Sequence, residues 1–332
     1  FADFAARWQL PVATSFRRSG LFDAAHAGHA GEFGVVTNPR LLAHARTADL
    51  IVLVGGRLSE LPSDNYSLLD IPSPRQALVH VHADAAEIGR VYQPRLAIQA
   101  SPVAFAGALR GLRPSGPSEA PWAAQRQALH QAQAGWAAEA PPLPGDFQYA
   151  EVLRWLRGRL DDDDIVCNGA GNYSVWLHRY FPIRRFGTQL GTTSGSMGYG
   201  LPAALAAQHR HPGRTVVAFA GDGCFMMTAQ EFATAVQYRL PVIVVVIDNG
   251  MFGTIRMHQE RRHPGLRNPD FAAMAVAFGG HGERVEATAA FAPAFERALA
   301  SRRPALLHCL LDPRALTPTA RLPAAPAAAP VS

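Results

Sequence analysis

The sequence predicts an α/β protein built from two doubly wound parallel-sheet domains. Three features lead to that fold class: strand-length apolar runs alternate with helical segments, several runs are apolar at every position, and one Pro- and Ala-rich stretch interrupts the alternation. Strands that are apolar throughout are buried on both faces, as in a parallel sheet with helices on either side. The interruption predicts a boundary between two domains.

The first predicted domain covers residues 1–112. Its clearest strands are Leu50–Val54, which runs into Gly55-Gly56, and Ala77–His82. From 113 to 145 the composition shifts towards Pro, Ser, Gly, Ala and Gln, which is typical of a linker. One helix is predicted within this linker, at Trp122–Glu139.

The second predicted domain covers residues 146–316 and contains the stronger strands. Four strands are predicted, at Ile165–Cys167, Thr215–Ala220, Val242–Ile247 and Ala305–Leu311. The helices between them are predicted at Glu151–Arg159, Thr228–Tyr238, Phe271–Phe278 and Phe291–Ala300. Residues 317–332 are rich in Ala and Pro, a composition that predicts a disordered tail.

Composition excludes several classes of function. All 31 basic residues are arginine, so no lysine can form a Schiff base, which excludes pyridoxal-phosphate enzymes and class I aldolases. The net charge of +5 comes from scattered arginines that form no basic helix face for nucleic acid. No apolar run reaches the roughly 20 residues of a membrane helix. The three cysteines are widely spaced and predict reduced thiols, as in a cytoplasmic protein. From the charge pattern and the short apolar runs, we expect this protein to bind neither nucleic acid nor membrane.

The clearest functional motif follows two of the predicted strands. Thr215–Ala220 runs into Gly221-Asp222-Gly223, and Val242–Ile247 runs into Asp248-Asn249. In an open α/β sheet, ligands bind at the carboxyl ends of the strands. Glycines beside Asp222 let backbone amides approach a phosphate, and carboxylate and amide oxygens are suitable ligands for Mg²⁺. The pattern predicts a magnesium diphosphate site, whereas Gly-Asp-Gly alone would indicate only a turn.

This motif resembles the cofactor signature of the acetolactate synthase / pyruvate decarboxylase superfamily, whose members use thiamine diphosphate (ThDP). Other segments share the resemblance: Gly195–Ala204, Leu240–Val242 and Gly253 in the second domain, and Leu10–Thr14, Ala48–Leu50 and Val54–Arg57 in the first. The resemblance implies a central domain at 1–112, followed by a domain that binds the diphosphate of ThDP.

The resemblance also implies roles for individual residues. Mg²⁺ would be bound by Asp222, by the side chain of Asn249 and by the backbone oxygen of Met251. Met197 would lie beneath the cofactor and bend it. The remaining implied cofactor contacts are Gly171, Asn172, Tyr173, Gly195, Ser196, Gly221, Gly223, Cys224, Phe252 and Gly253, and the implied substrate contacts are Thr254, Arg256 and His258.

The implied activity is decarboxylation and carboligation of a 2-oxo acid, as in acetolactate synthases. In this family a pyrimidine-binding domain of a neighbouring subunit supplies the glutamate that activates the cofactor. The resemblance therefore implies a homodimer or homotetramer, with the activating glutamate outside this chain. The alternatives are a simple 2-oxo acid decarboxylase, a 2-hydroxyacyl-CoA lyase, or a non-catalytic relative that binds the cofactor or only partners.

Three further patterns have competing interpretations. Gly55-Gly56-Arg57 follows a strand of the domain in which relatives hold FAD or ADP, so it predicts either a second nucleotide site or a structural turn. Asp161–Asp164 is interpreted as a solvated loop rather than a metal cluster. No zinc site is predicted, because no Cys or acidic partner lies at ligand spacing from the histidines His26, His29 and His44.

Overall fold

The computed structural model describes residues 1–116, 120–258 and 265–322, without the side chains of Met257 and His258. The chain divides into two compact units, 1–138 and 139–332. Every strand pair within the sheets is parallel, which confirms the predicted α/β fold class. Among the described helices, none has the length and apolar composition needed to cross a membrane. The cytoplasmic location stays a prediction.

In its described residues the first unit contains two small parallel sheets. Its strands are β1 (Val12–Ser15), β2 (His29–Phe33), β3 (Leu50–Val54), β4 (Ala77–His82) and β5 (Leu96–Gln99). Its helices are α1 (Ala2–Arg7), α2 (Pro39–Thr47), α3 (Pro102–Leu109) and α4 (Ala123–Ala138), with 3-10 turns at Ser19–Leu21 and Ala85–Glu87. β1 pairs with β2, and β3, β4 and β5 form the second sheet in that order.

Two helices of this unit begin at side-chain caps. Asn38 accepts a hydrogen bond from the Arg40 amide at 3.0 Å, immediately before Pro39, the first residue of α2. Ser101 caps α3 in the same way, by accepting the Ala104 amide at 3.1 Å. Such caps satisfy an amide that the first helical turn leaves without a partner, and they stabilise a helix by about 1 kcal/mol.

Helix α4, which the sequence analysis assigned to a linker, belongs to the first unit. Its Leu129 is buried in a cluster with Ala30 of β2 and Leu41 of α2. Asn38 donates a hydrogen bond to the Ala132 carbonyl at 3.1 Å, and the His130 ring contacts the His29 carbonyl at 3.0 Å. The helix predicted at Trp122–Glu139 is therefore present, at Ala123–Ala138, and its Ala- and Gln-rich composition conceals one apolar face that contacts the first unit.

The second unit is built on one larger parallel sheet. Its strands are β6 (Ile165–Asn168), β7 (Gln189–Gly191), β8 (Val216–Gly221), β9 (Ile243–Asp248), β10 (His281–Val285) and β11 (Ala305–Leu310). Its helices are α5 (Tyr149–Arg159), α6 (Tyr173–Tyr180), α7 (Gly200–Arg210), α8 (Asp222–Met226), α9 (Glu231–Gln237), α10 (Gly253–His258), α11 (Phe271–Ala277) and α12 (Thr288–Ser301). The strand order is β10-β11-β9-β8-β6-β7.

This strand order positions the ligand site. The strand that follows β6 in the chain, β7, lies on one side of it, and β8 lies on the other, so the chain reverses its direction across the sheet between β6 and β8. Open α/β sheets bind ligands at such a switch point, outside the carboxyl ends of the strands. The central strands β8 and β9 are buried from Val216 to Ala220 and from Ile243 to Ile247, which explains why these segments are apolar at every position.

The start of the predicted disordered tail is ordered instead. Ala315 and Arg321 form an antiparallel bridge, and the Leu322 amide donates to the Arg314 carbonyl at 2.9 Å. Thr317 is buried, and its hydroxyl accepts the Ala320 amide at 2.8 Å. The prediction for 317–332 is therefore wrong over 317–322, since this turn satisfies its own backbone groups. Residues 323–332 lie outside the described part of the chain.

Candidate cofactor site

A cavity lies at the carboxyl ends of β6, β8 and β9. This is the place at which open α/β sheets bind their ligands. Thirteen of the residues implied by the resemblance line it: Gly171, Asn172, Tyr173, Met197, Gly221, Asp222, Gly223, Cys224, Asn249, Met251, Phe252, Gly253 and Thr254. Ala170, Trp176, Ile247, Ile255 and Leu311 line it as well.

Strand register places the candidate metal ligands side by side. Gly221 at the end of β8 pairs with Ile247 near the end of β9. Asp222 therefore leaves β8 beside the point at which Asn249 leaves β9. Asp222 begins the short helix α8 and is only 3% exposed. The two strand ends thus present a carboxylate and an amide to the same cavity.

Asp222 is held by two hydrogen-bond donors. Its Oδ1 accepts the Gly223 amide at 2.8 Å, and its Oδ2 accepts the Asn268 side-chain amide at 2.8 Å. Burial raises the pKa of Asp222 to about 6; the two donors oppose this rise, whereas the nearby carboxylate of Asp248 adds to it. A buried carboxylate beside a second carboxylate is a position that favours a bound cation.

Asp248, the last residue of β9, has more donors than Asp222. Its Oδ1 accepts Asn268 Nδ2 at 2.8 Å and the Gly250 amide at 2.9 Å, and its Oδ2 lies 2.8 Å from His308 Nε2. Desolvation would raise the pKa of Asp248, but the hydrogen bonds from His308, Gly250 and Asn268 outweigh it and lower that pKa. The pKa values of the two neighbouring carboxylates are therefore shifted in opposite directions: that of Asp222 is raised and that of Asp248 is lowered.

Close approach explains Gly223, which lines the cavity, and Gly169, which immediately precedes the lining residue Ala170. A Cβ on Gly223 would fall far inside van der Waals contact with the ring of Phe252, whose Cδ1 atom would be 2.9 Å away. A Cβ on Gly169 would lie 2.6 Å from Cys224 Sγ. Both positions therefore exclude a side chain.

Hydrogen bonds connect the walls of the cavity. Thr254 donates its hydroxyl proton to Asn172 Oδ1 at 2.7 Å, which joins α10 to the segment before α6. Cys224 Sγ accepts the Gly198 amide at 3.2 Å and lies 3.4 Å from the Tyr173 hydroxyl. Burial raises the pKa of Tyr173 well above its usual value, so this hydroxyl stays protonated. The walls are thus fixed by contacts among residues that the sequence analysis had grouped together.

Four of the implied site residues do not line the cavity or cannot be placed. Ser196 bonds within its own loop, through its hydroxyl to Ser194 at 2.8 Å and its amide to Thr192 Oγ1 at 3.1 Å. Gly195, with φ +78°, shapes this loop. Arg256 lies in α10, where its backbone amide donates a hydrogen bond to the Phe252 carbonyl. The side chain of His258 lies outside the described residues.

Sequence reasoning missed Trp176, Asn268 and His308. Trp176 is a buried residue of α6 whose ring lies 5.8 Å from that of Tyr149, and its spacing in the sequence resembles that of any core residue. Asn268 comes from the segment before α11 and carries no motif. His308 did leave a signal, because it is the one titratable residue other than cysteine within the apolar stretch Ala305–Leu311.

The other patterns have structural explanations. Asp162 and Asp163 pair with Arg184 and Arg185 at 3.1 and 2.8 Å, and both carboxylates stay partly exposed, so the acidic run is a solvated turn with surface ion pairs. At Gly55, with φ +68°, a Cβ would lie 2.7 Å from Pro102, which accounts for the glycine as a structural turn. Burial keeps His29 neutral by lowering its pKa to about 4. The described residues contain no group of three or more metal-ligating His, Cys, Asp or Glu side chains.

Comparison with known proteins gives matches in both units. The sequence model "Thiamine pyrophosphate enzyme, central domain" matches residues 1–109, and "Thiamine pyrophosphate enzyme, C-terminal TPP binding domain" matches residues 169–309. Thiamine pyrophosphate (TPP) is another name for ThDP.

Curated relatives agree with these matches. The chain is 30% identical over 331 residues to the acetolactate synthase isozyme 2 large subunit of Escherichia coli K12, which covers 93% of this chain and 56% of that protein. It is also 30% identical over 289 residues to the acetolactate synthase large subunit of Parasynechococcus marenigrum, with 85% and 46% covered. The corresponding protein of Corynebacterium glutamicum is 28% identical over 312 residues, with 89% and 49% covered.

The chain spans about half the length of the curated relatives it matches. The two matched regions contain strands β1 to β5 of the first unit, strands β7 to β10 and most of β11 of the second, and every cavity residue except Leu311. These matches confirm the resemblance drawn from Gly221-Asp222-Gly223, and the chain belongs to the thiamine pyrophosphate enzyme family.

Proposed function

We propose that this chain binds ThDP and Mg²⁺ in the cavity at the ends of β6, β8 and β9. One observation carries the proposal: Asp222 and Asn249 follow adjacent parallel strands and line one cavity together with Met251. A carboxylate, an amide oxygen and a backbone carbonyl are the oxygen ligands that Mg²⁺ prefers, and phosphate oxygens and water would complete its octahedron. The cation would also offset the repulsion between the carboxylates of Asp222 and Asp248.

The diphosphate would lie against the backbone of the α8 turn. The amides of a first helical turn have no intrahelical acceptor and can donate to an anion. We propose that the backbone amides of Cys224 and Gly223 donate hydrogen bonds to the diphosphate. The Gly223 amide, which donates to Asp222 Oδ1 in this structure, would then donate to a phosphate oxygen instead. The remaining proposed contacts are Gly171, Asn172, Tyr173, Gly195, Ser196, Gly221, Phe252 and Gly253, with Met197 beneath the cofactor.

For the reaction, we propose decarboxylation of a 2-oxo acid followed by carboligation, as the names of the acetolactate synthase relatives suggest. When bound, ThDP supplies the carbon nucleophile and the electron sink for that chemistry. Thr254, Arg256 and His258 are the proposed substrate contacts, and the guanidinium of Arg256 is suited to a carboxylate. A simple decarboxylase would release an aldehyde instead of forming a carbon–carbon bond, so product analysis separates the two.

The working protein is proposed to be a homodimer or homotetramer. The relatives are about twice as long as the matched chain, which fits a site completed by a pyrimidine-binding domain. Nothing in the comparisons supports FAD, so ThDP and Mg²⁺ are the cofactors that we propose.

Calorimetric titration of ThDP into the chain tests the binding proposal. We expect heat of binding with Mg²⁺ and none with EDTA. The variant Asn249→Ala should weaken binding at least about 100-fold, because even second-sphere partners of a metal contribute 10–100-fold in affinity. Asn249→Asp keeps an oxygen ligand and should retain Mg²⁺-dependent binding. Equal binding in Mg²⁺ and in EDTA, or in wild type and Asn249→Ala, would show that the assigned metal site is wrong.

A further inference from the structure

A line of buried polar contacts leads from Asp222 to a histidine on β11. We propose that His308 is a positioning residue for the metal site: through Asp248 and Asn268 it holds the carboxylate of Asp222 in the orientation that receives Mg²⁺. The inference rests on the proposed function only in naming Mg²⁺ as the cation. The contacts themselves are between residues of this chain.

His308 is placed to orient Asp248. Its side chain is 4% exposed, its ring contacts that of Phe271 with centroids 4.9 Å apart, and its Nε2 lies 2.8 Å from Asp248 Oδ2. Because Asp248 Oδ1 already accepts N–H groups from Gly250 and Asn268, the carboxylate form fits this environment. His308 must therefore donate the third hydrogen bond through Nε2, which fixes the second oxygen of Asp248.

Asn268 transmits this orientation to Asp222. Its Nδ2 donates to Asp248 Oδ1 and to Asp222 Oδ2, each at 2.8 Å. Both protons of one amide group are thus shared between the two carboxylates, so neither carboxylate can rotate without losing a bond to Asn268. If Asp248 lost the hydrogen bond from His308, it could rotate, and Asn268 would no longer be held against Asp222.

Packing alone does not explain a histidine at this position. The neighbouring residues of β11 are apolar, and Leu307 and Cys309 are fully buried. An imidazole in such a strand costs free energy unless its nitrogens find partners, and a leucine would fill similar space without that cost. The other polar groups nearby are Asp270, whose Oδ1 is 3.8 Å from His308 Nδ1, and Arg284, which lines a surface pocket together with His308 and Asp248. The short contact to Asp248 is the one that ties the histidine to the metal site.

The test compares His308→Leu, which removes the donor, with His308→Gln, which can donate from nearly the same place. Mg²⁺ affinity is measured by calorimetry on the full chain at saturating ThDP. We expect 10–100-fold weaker binding for His308→Leu and a change below about 3-fold for His308→Gln. Cys309→Ala, the neighbour on the same strand, is the control: it should lower Tm yet leave Mg²⁺ affinity within about 2-fold of wild type, as expected of a purely structural change. His308→Leu with wild-type Mg²⁺ affinity would overturn the proposal.

A second measurement needs no cofactor. In the metal-free chain, the side-chain amide resonances of Asn268 should shift in His308→Leu and stay in place in Cys309→Ala. Resonances that do not move in His308→Leu would overturn the positioning role. If wild type itself shows no Mg²⁺-dependent binding of ThDP, the proposed function fails, and the Asn268 resonances still decide whether His308 holds Asp222.

Discussion

Asp222→Asn is expected to abolish Mg²⁺-dependent binding of ThDP and, in the same experiment, to make the metal-free chain more stable. The carboxylate is buried beside Asp248, and its pKa rises from 3.8 to about 6. One pKa unit corresponds to about 1.4 kcal/mol, so keeping Asp222 ionised in the folded chain at neutral pH costs about 3 kcal/mol. Asparagine has one acceptor oxygen for the two donors that Asp222 binds. A buried donor left without an acceptor costs about 1–3 kcal/mol, which leaves a net stabilisation of up to about 2 kcal/mol.

The sign of this effect gives it a defined pH dependence. Because the folded-state pKa of Asp222 lies above its unfolded value, ionisation destabilises the fold, and the cost grows as pH rises from about 4 to about 6. Urea unfolding in EDTA should therefore show no advantage of Asp222→Asn at pH 4 and its full advantage at pH 7. Saturating Mg²⁺ and ThDP should restore the stability of wild type alone, since binding to the folded state stabilises it by mass action.

Asp164→Asn is the matched control. Asp164 accepts the amides of Thr215 at 2.8 Å and Asp161 at 2.9 Å, away from the cavity. This variant should bind ThDP like wild type. If Asp222→Asn bound ThDP and Mg²⁺ normally, or were less stable than wild type at pH 7 in EDTA, the assigned role of Asp222 would be incorrect.

Gly282→Ala is expected to destabilise the second unit by about 3 kcal/mol, or roughly 6–12 °C in Tm. A Cβ on Gly282 would fall far inside contact with the carbonyl oxygen of Ala272, with the carbonyl carbon at 2.8 Å and Cα at 3.1 Å. These are backbone atoms of α11, so no side chain can move aside, and the helix itself must shift. Glycine in a strand often marks such a close approach of another backbone.

The effect should extend to the cofactor site. Helix α11 begins with Phe271, whose ring contacts those of Phe225 and His308 at centroid distances of 5.4 and 4.9 Å. A shifted α11 would therefore disturb the surroundings of His308 as well as β10. Differential scanning calorimetry measures the loss of stability, and ThDP titration of the folded fraction measures the disturbance.

Gly158→Ala is the control, and we expect it to change stability in the opposite direction. Gly158 lies in α5, is exposed, and a Cβ there would meet nothing within 4 Å. Alanine in an exposed helix is favoured over glycine by roughly 1 kcal/mol, so this variant should be slightly more stable than wild type. Equal stability of Gly282→Ala and wild type would contradict the close packing of α11 on β10.

The sequence predicted the centre of the second unit well because burial there is complete. Val216–Ala220 and Ile243–Ile247 are apolar at every position, which indicates a strand covered on both faces. Glycines and polar residues directly after those strands then located the site. Local pattern and tertiary position agree in this part of the chain.

Other elements gave no comparable pattern. β10 reads His-Gly-Glu-Arg-Val because it is the edge strand, where His281, Glu283 and Arg297 pair near the surface. Helix α4 was assigned to a linker because an Ala- and Gln-rich helix can bury one face on a neighbour without a strong apolar period. In both cases tertiary position, rather than local composition, determined the structure.

The residues that surround Asp222 were not predictable as a group either, because tertiary structure alone brings them together. Asn268, Asp248 and His308 come from three separate segments, and the contacts that join them depend on strand order and on the path of the chain before α11. A histidine in an apolar strand indicates that it needs a partner. The sequence does not identify the partner.

Anomalous diffraction from crystals grown with ThDP and Mn²⁺, used in place of Mg²⁺, tests the central claim most directly. We expect one strong manganese peak in the cavity, within bonding distance of Asp222, of Asn249 Oδ1 and of the Met251 carbonyl oxygen, with diphosphate density beside it. A peak bound elsewhere, or diphosphate density without a metal at Asp222, would contradict it.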